Sequence, residues 1–184
     1  MAELVRGRAL ARVMAFVALA GAAVTPLMLA VLWLALDDAA LFATVGASGI
    51  GVPASPDVTP SLSGAARVAG WLITTALSLP MMIALWCVAH TFREAAQGRP
   101  FSPRAVASFR RFALASLVAA VGRVVQTPIL SAAVTALSPT IQGQLMVTVG
   151  SHEIGALFGA FLLLTLAHVF AEGRRMADDV EGLL

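Results

Sequence analysis

The chain has 184 residues, of which 59% are hydrophobic and only 12% are charged, and its formal net charge is +2. A soluble domain carries about 25% charged residues, so this composition excludes an ordinary soluble protein and indicates a membrane protein. The single cysteine, Cys87, excludes a disulfide or a CxxC metal site within one chain.

Four long apolar stretches predict four transmembrane helices, at residues 13–36, 68–92, 112–137 and 154–171. Roughly 20 apolar residues suffice to cross the hydrocarbon core of a bilayer. The predicted fold is therefore all-α: a polytopic membrane protein with four transmembrane helices, in which residues 1–184 form a single membrane domain.

The arginines predict how these helices are oriented. Ten of the twelve lie before the first span, in the loop 93–111 or in the tail 172–184, whereas the connection 37–67 contains only Arg67. Basic residues that flank spans are retained on the cytoplasmic side. We therefore expect both termini to be cytoplasmic and the loop 93–111 to be an inner loop.

The inner loop contains signals for the end of one helix and the start of the next. Gly98 and Pro100 are expected to end the second span. Ser102 suits the N-cap and Pro103 the first helical position, so a helix should begin at Pro103. Ser138 and Pro139 repeat this start signal on the outer side.

Two short segments on the outer side are rich in β-branched residues and end in glycine. They are "FATVG", residues 42–46, and "MVTVG", residues 146–150. This composition favours extended structure, so we expect the two segments to be extended and to pair as a small ribbon.

Arg123 interrupts the third span and defines a candidate intramembrane polar site. It lies 12 residues beyond Arg111, or about 18 Å along a helix, where an exposed arginine costs at least about 2.5 kcal/mol. The polar residues on its helix face are Ser116, Gln126, Thr127 and Ser131. We expect this face to point into the bundle, either as a transport cavity or as a structural arginine, with Glu153 as the candidate counter-charge.

Two histidines lie in one repeated pattern, A-H-x-F-x-E, which places His90 and His168 near the inner ends of the second and fourth spans. Paired imidazoles are able to ligate haem, whereas an interfacial histidine more often places its polar tip among headgroups. Gly155 and Gly159 form G-x-x-x-G, a pattern that favours close helix contact, here expected within the protein.

The tail 172–184 is predicted to be an amphipathic helix. Its apolar stripe consists of Met176, Val180, Leu183 and Leu184. The tail is acidic and the inner loop is basic, so we expect the stripe to dock on that loop, against Phe101, Val106 and Phe109.

Two motifs resemble a known family. The first is Gly98, Phe101 and Ser102 in the inner loop; the second is Phe170, Gly173, Asp179, Glu181 and Gly182 after the fourth span. Both are similar to motifs of a bacterial four-helix membrane family known as domain of unknown function 2975. The resemblance implies a bacterial inner membrane location and no particular reaction.

The sequence contains no recognisable nucleophile–base set, phosphate-binding loop or zinc cluster. We therefore expect no enzyme activity, no cofactor, no metal and no nucleic acid partner. The favoured hypothesis is a small regulatory or sensory membrane protein that meets the lipid bilayer and a protein partner at its cytoplasmic face. The alternatives are a transporter component around Arg123 and, less favoured, a haem-binding electron carrier. The sequence does not determine the oligomeric state.

Overall fold

The structure is a computed structural model that describes residues 2–45, 61–99, 101–138 and 150–181. Its elements are α1 (Ala2–Ala30) with a π-helical continuation (Val31–Ala35), α2 (Asp38–Val45), α3 (Gly64–Ala96), α4 (Pro103–Leu137) and α5 (Ser151–Glu181). Within these ranges every regular element is helical, which confirms the all-α prediction.

Four helices are long and apolar enough to cross a membrane: Gly7–Ala35, Gly64–Ala96, Pro103–Leu137 and Ser151–Met176. They overlap the four predicted spans and are longer than those spans. Their 26 to 35 residues correspond to about 39–52 Å, against a hydrocarbon core of about 30 Å. The chain is thus a multi-pass membrane protein whose helices continue beyond the apolar layer.

The predicted outer ribbon is wrong, because residues 42–45 belong to α2. Asp37 caps this helix: its Oδ1 accepts a hydrogen bond from the Ala40 N–H at 3.0 Å. An N-cap carboxylate satisfies a free N–H at a helix start, and this local signal outweighs the β-branched composition. The second ribbon segment, apart from Gly150, and the start signal at Pro139 lie outside the described residues.

The helices contribute to two compact units. The loop-end unit consists of Met1–Ala23, Pro80–Val118 and Gly155–Leu184, and the cap-end unit of Val24–Leu79 and Ala119–Ile154. The loop-end unit contains the loop between α3 and α4, and the cap-end unit contains α2.

The cap-end unit has a core of large side chains centred on the fully buried Trp33. The other buried members are Leu41, Leu62, Ala66, Leu130 and Val134. Trp33 fits against α3 because Gly70 has no side chain; a Cβ at Gly70 would overlap the indole ring. Close packing of this kind contributes dispersion energy. Lipid chains in contact with Trp33 would pack less closely and would contribute less.

The loop-end unit is packed differently, through small residues. Ala15 and Ala18 of α1 and Ala89 of α3 are buried together. Alanines allow two helix backbones to approach closely, which is the usual basis of helix association in a membrane.

Candidate functional site

The end of α3 is fixed by backbone geometry at Gly98. Gly98 has φ +80°, donates its N–H to the Ala95 carbonyl at 3.0 Å, and is followed by Arg99, whose N–H bonds the Glu94 carbonyl at 3.1 Å. These two hydrogen bonds define a Schellman motif, in which a residue in the left-handed region terminates the helix. The motif glycine is therefore required by the turn itself.

The start of α4 lies a few residues later, where the helix begins at Pro103 as predicted. Ser102 is its N-cap, because Ser102 Oγ accepts the Ala105 N–H at 3.1 Å. The same hydroxyl donates to Glu94 Oε2 at 3.0 Å. Glu94 therefore ties the end of α3 to the start of α4.

The two sequence motifs meet in an aromatic junction, which we define as Phe101, Phe109 and Phe170. The Phe101 and Phe170 ring centroids are 6.2 Å apart at 66°, and those of Phe109 and Phe170 are 5.5 Å apart at 61°. Edge-to-face pairs of this kind contribute about 0.5–1.5 kcal/mol beyond the area they bury. The loop and the end of the fourth span are thus one structural site.

The tail continues as a helix, as predicted, since α5 runs to Glu181. The predicted docking of the apolar stripe is wrong for Met176, the first residue of the stripe, because Met176 is 60% exposed. The reason is that Phe170 already makes the contact with the loop, and Met176 lies about 9 Å further along the helix axis. Asp179 is exposed, whereas the side chains of Val180 and Glu181 and residues 182–184 lie outside the described part.

Gly173 lies between the aromatic junction and this exposed segment. A Cβ at Gly173 would meet no atom within 4 Å. The described residues therefore do not explain this motif glycine by internal packing. The same is true of Gly155 and Gly159, so the internal contact expected for G-x-x-x-G is not found.

His90 and His168 are both exposed, and they line different clefts of the loop-end unit. His90 stacks on Trp86, with centroids 6.0 Å apart and planes inclined by 13°, in a cleft with Ser108 and Arg111. His168 lines a cleft with Arg110 and Thr165. The structure therefore does not bring the two imidazoles together as axial haem ligands.

Among the described residues, no group of three or more His, Cys, Asp or Glu is arranged to hold a metal ion. The structure thus offers no geometric support for a metal centre within these ranges.

The polar face around Arg123 is buried or half-buried except at Arg123 itself. Arg123 is exposed, while Ser116, Gln126 and Thr127 are half-buried. Of the whole face only Ser131 is buried, and its hydroxyl donates to the Pro128 carbonyl at 3.0 Å. Ala119 and Ala120, at i−4 and i−3 from Arg123, are buried on the same side of α4, so the inward expectation fails for Arg123 itself and not for the residues around it.

Glu153 does not pair with Arg123. Its Oε2 accepts the Gly150 N–H at 2.9 Å, across the start of α5. An acidic side chain at the third helical position commonly reaches back in this way to the residue that precedes the helix. The carboxylate that we expected to be a counter-charge is a local cap.

Sequence reasoning missed a polar cluster in the cap-end unit, which we call the arginine latch: Arg67, Asp38 and the carbonyls of Trp33 and Leu36. Arg67 Nη2 is 2.6 Å from Asp38 Oδ1. Arg67 Nη1 donates to the Trp33 carbonyl at 3.3 Å and to the Leu36 carbonyl at 2.5 Å. One guanidinium therefore satisfies the end of the π-helical segment and also binds the start of α2.

Asp38 and Ser63 extend this network to other helix ends. Asp38 Oδ2 accepts the Leu62 N–H at 3.3 Å. Ser63 Oγ accepts the Ala66 N–H at 3.1 Å and donates to the Leu137 carbonyl at 2.7 Å. Arg67 is the single basic residue of the connection 37–67, beside Asp37, Asp38 and Asp57, and this was the signal that would have indicated an ion pair.

Residues 53–182 match the model of a family described as "Protein of unknown function (DUF2975)". This range contains both motifs, from Gly98 through Gly182. None of the curated proteins and none of the solved structures matches the chain.

Proposed function

We propose that this chain, which belongs to the DUF2975 family of unknown function, is a small regulatory or sensory membrane protein and not an enzyme. We propose further that it acts through a protein partner. We assign the loop-end unit to the cytoplasmic side of a bacterial inner membrane. The support for this orientation is the distribution of the arginines, since ten flank that side and one lies in the opposite connections.

The observation that carries the proposal is the exposed end of α5. Beyond the aromatic junction the helix continues to Glu181, and Met176 is 60% exposed. An amphipathic helix that leaves its apolar residues uncovered is a common means of binding a partner protein.

The charge of the tail indicates the chemistry of that partner. Its part beyond Arg174, residues 175–181, contains three acidic residues and one arginine, for a net charge of −2. Anionic headgroups would repel this segment. A protein surface that is basic around an apolar pocket is therefore the complementary surface.

The aromatic junction gives this proposal a physical connection to the membrane helices. Phe170 is held by Phe101 of the loop and by Phe109 of α4. A change in the angle between α4 and α5 would therefore move the tail. The transport and haem hypotheses lack comparable support, because Arg123 is exposed and the histidines line separate clefts.

Co-purification from native membranes tests the proposal, with two exposed methionines compared. Met176 is 60% exposed and Met28, in the cap-end unit, is 63% exposed. We expect Met176→Ser to remove a protein that co-purifies with the unmodified chain and Met28→Ser to retain it. Equal retention in both variants would contradict the proposal.

A further inference from the structure

A continuous groove lies between α4 and α5 in the loop-end unit. Two adjoining clefts form it, and they share Arg110, Leu114 and Ala171. One cleft continues to His168, and its volume of about 660 Å³ is within the range of small-ligand sites. The other continues to Arg174.

The groove is cationic on one side. Arg110, Arg111 and Arg174 line it together with His168, and the described residues lining the two clefts include no acidic side chain. A lining of this charge attracts an anion. Arginine forks match the geometry of phosphate oxygens, which favours a phosphate group as that anion.

The rest of the groove is apolar. Its lining includes Leu114, Leu164, Ala167 and Ala171. A soluble phosphate would leave this surface unused, whereas a molecule with a phosphate at one end and a hydrocarbon chain at the other would cover both parts.

The cationic part lies at the depth of lipid headgroups. Arg110 and Arg111 are followed by the uncharged run 112–122, and His168 lies near the end of the uncharged run 154–171. Charged residues that border an apolar run of a transmembrane helix are placed at the bilayer surface. A phosphate held there would belong to a lipid whose acyl chain follows the helices inward.

We propose that this groove is a binding site for an anionic phospholipid, with Arg110 and Arg174 on the phosphate, His168 beside it and Leu114 and Leu164 along the acyl chain. Basic pockets between transmembrane helices bind such headgroups in general. This inference does not depend on the partner proposed above, because lipid binding in the groove requires no second protein.

Native mass spectrometry of the full-length protein in detergent tests the proposal. Phosphatidylglycerol and phosphatidylcholine with identical acyl chains are titrated separately. We expect tighter binding of phosphatidylglycerol, weakened about fivefold by Arg110→Gln and again by Arg174→Gln. The matched control is Arg104→Gln, which removes the same charge from an exposed residue outside the groove and should leave binding unchanged.

Three results would overturn the proposal. Equal affinity of the unmodified protein for the two lipids would contradict the proposal. This comparison needs no variant, so the proposal is tested even if a variant fails to fold. An equal loss in Arg104→Gln would indicate diffuse attraction to charge. Displacement of phosphatidylglycerol by millimolar inorganic phosphate would identify a soluble anion as the ligand. Arg110→Lys, which keeps the charge but loses the fork, should bind with intermediate affinity.

Discussion

Phe101 and Phe170 are in edge-to-face contact, with their ring centroids 6.2 Å apart, although one lies in the loop before α4 and the other near the end of the fourth span. The contact joins the two motifs by which the chain resembles its family. It also fixes the direction in which α5 leaves the membrane-spanning region. The two motifs thus meet at a joint between a loop and a helix.

The contact should be measurable as a coupling energy. We expect Phe101→Leu and Phe170→Leu to be non-additive, with a coupling of about 1 kcal/mol in the free energy of unfolding measured by SDS titration. The control pair is Phe101→Leu with Phe161→Leu, because Phe161 is 57% exposed on α5 and forms no ring contact with Phe101. Additivity in both pairs would show that the aromatic junction contributes no specific energy.

The arginine latch should contribute strongly to the stability of the cap-end unit. Replacement of Arg67 by Met leaves Asp38 without its ion pair and the Trp33 and Leu36 carbonyls without their donor. We expect a loss of about 2–3 kcal/mol in the free energy of unfolding, because both side chains are mostly buried. Arg104→Met, at an exposed position, should cost at most about 0.5 kcal/mol. Similar costs at the two sites would refute the importance of the latch.

Two glycines should respond oppositely to the same methyl group. Gly70→Ala introduces a Cβ that overlaps the buried Trp33 ring, whereas Gly159→Ala introduces one into open space. We expect Gly70→Ala to lose about 1–3 kcal/mol by overpacking and Gly159→Ala to be neutral or stabilising. Thermal unfolding followed by tryptophan fluorescence distinguishes the two. Destabilisation at Gly159 would indicate that another surface packs there.

Local signals predicted the helices well, because they depend on short-range physics. The apolar runs indicated four spans, and Ser102 with Pro103 gave the start of α4 correctly. Gly98 likewise ended α3, since few other residues adopt its positive φ without strain. These features require only neighbours in sequence.

Tertiary features were predicted poorly for the opposite reason. Which residues of the Arg123 face of α4 are buried depends on the helices that pack beside it: Ala119 and Ala120 are buried, whereas Arg123 on the same face is exposed. Glu153 accepts a hydrogen bond from the backbone at the start of its own helix, which is a nearer partner than Arg123. The Arg67–Asp38 pair joins two helix ends, and apolar periodicity contains no information about it.

The orientation of the protein is directly testable by cysteine labelling. In a Cys87→Ala background, single cysteines replace Met176 on α5 and Ala39 on α2, both of which are exposed. We expect an impermeant maleimide to label the cysteine at Ala39 in intact spheroplasts and the one at Met176 only after permeabilisation. The reverse pattern would place the loop-end unit outside and exclude a cytoplasmic partner at the tail.

The central claim is that the exposed end of α5 binds a protein. The most direct measurement is site-specific photo-crosslinking in living cells, with a photoreactive amino acid at Met176 or, for comparison, at Met28. These residues are similarly exposed, at 60% and 63%, but Met28 lies inside the first span, whereas Met176 is the last residue of the fourth. We expect a photoreactive residue at position 176 to form one discrete protein adduct, and this adduct to be lost when Phe170→Ala disrupts the aromatic junction. We expect a photoreactive residue at position 28 to form lipid adducts alone. Lipid adducts alone from both positions would contradict the central claim.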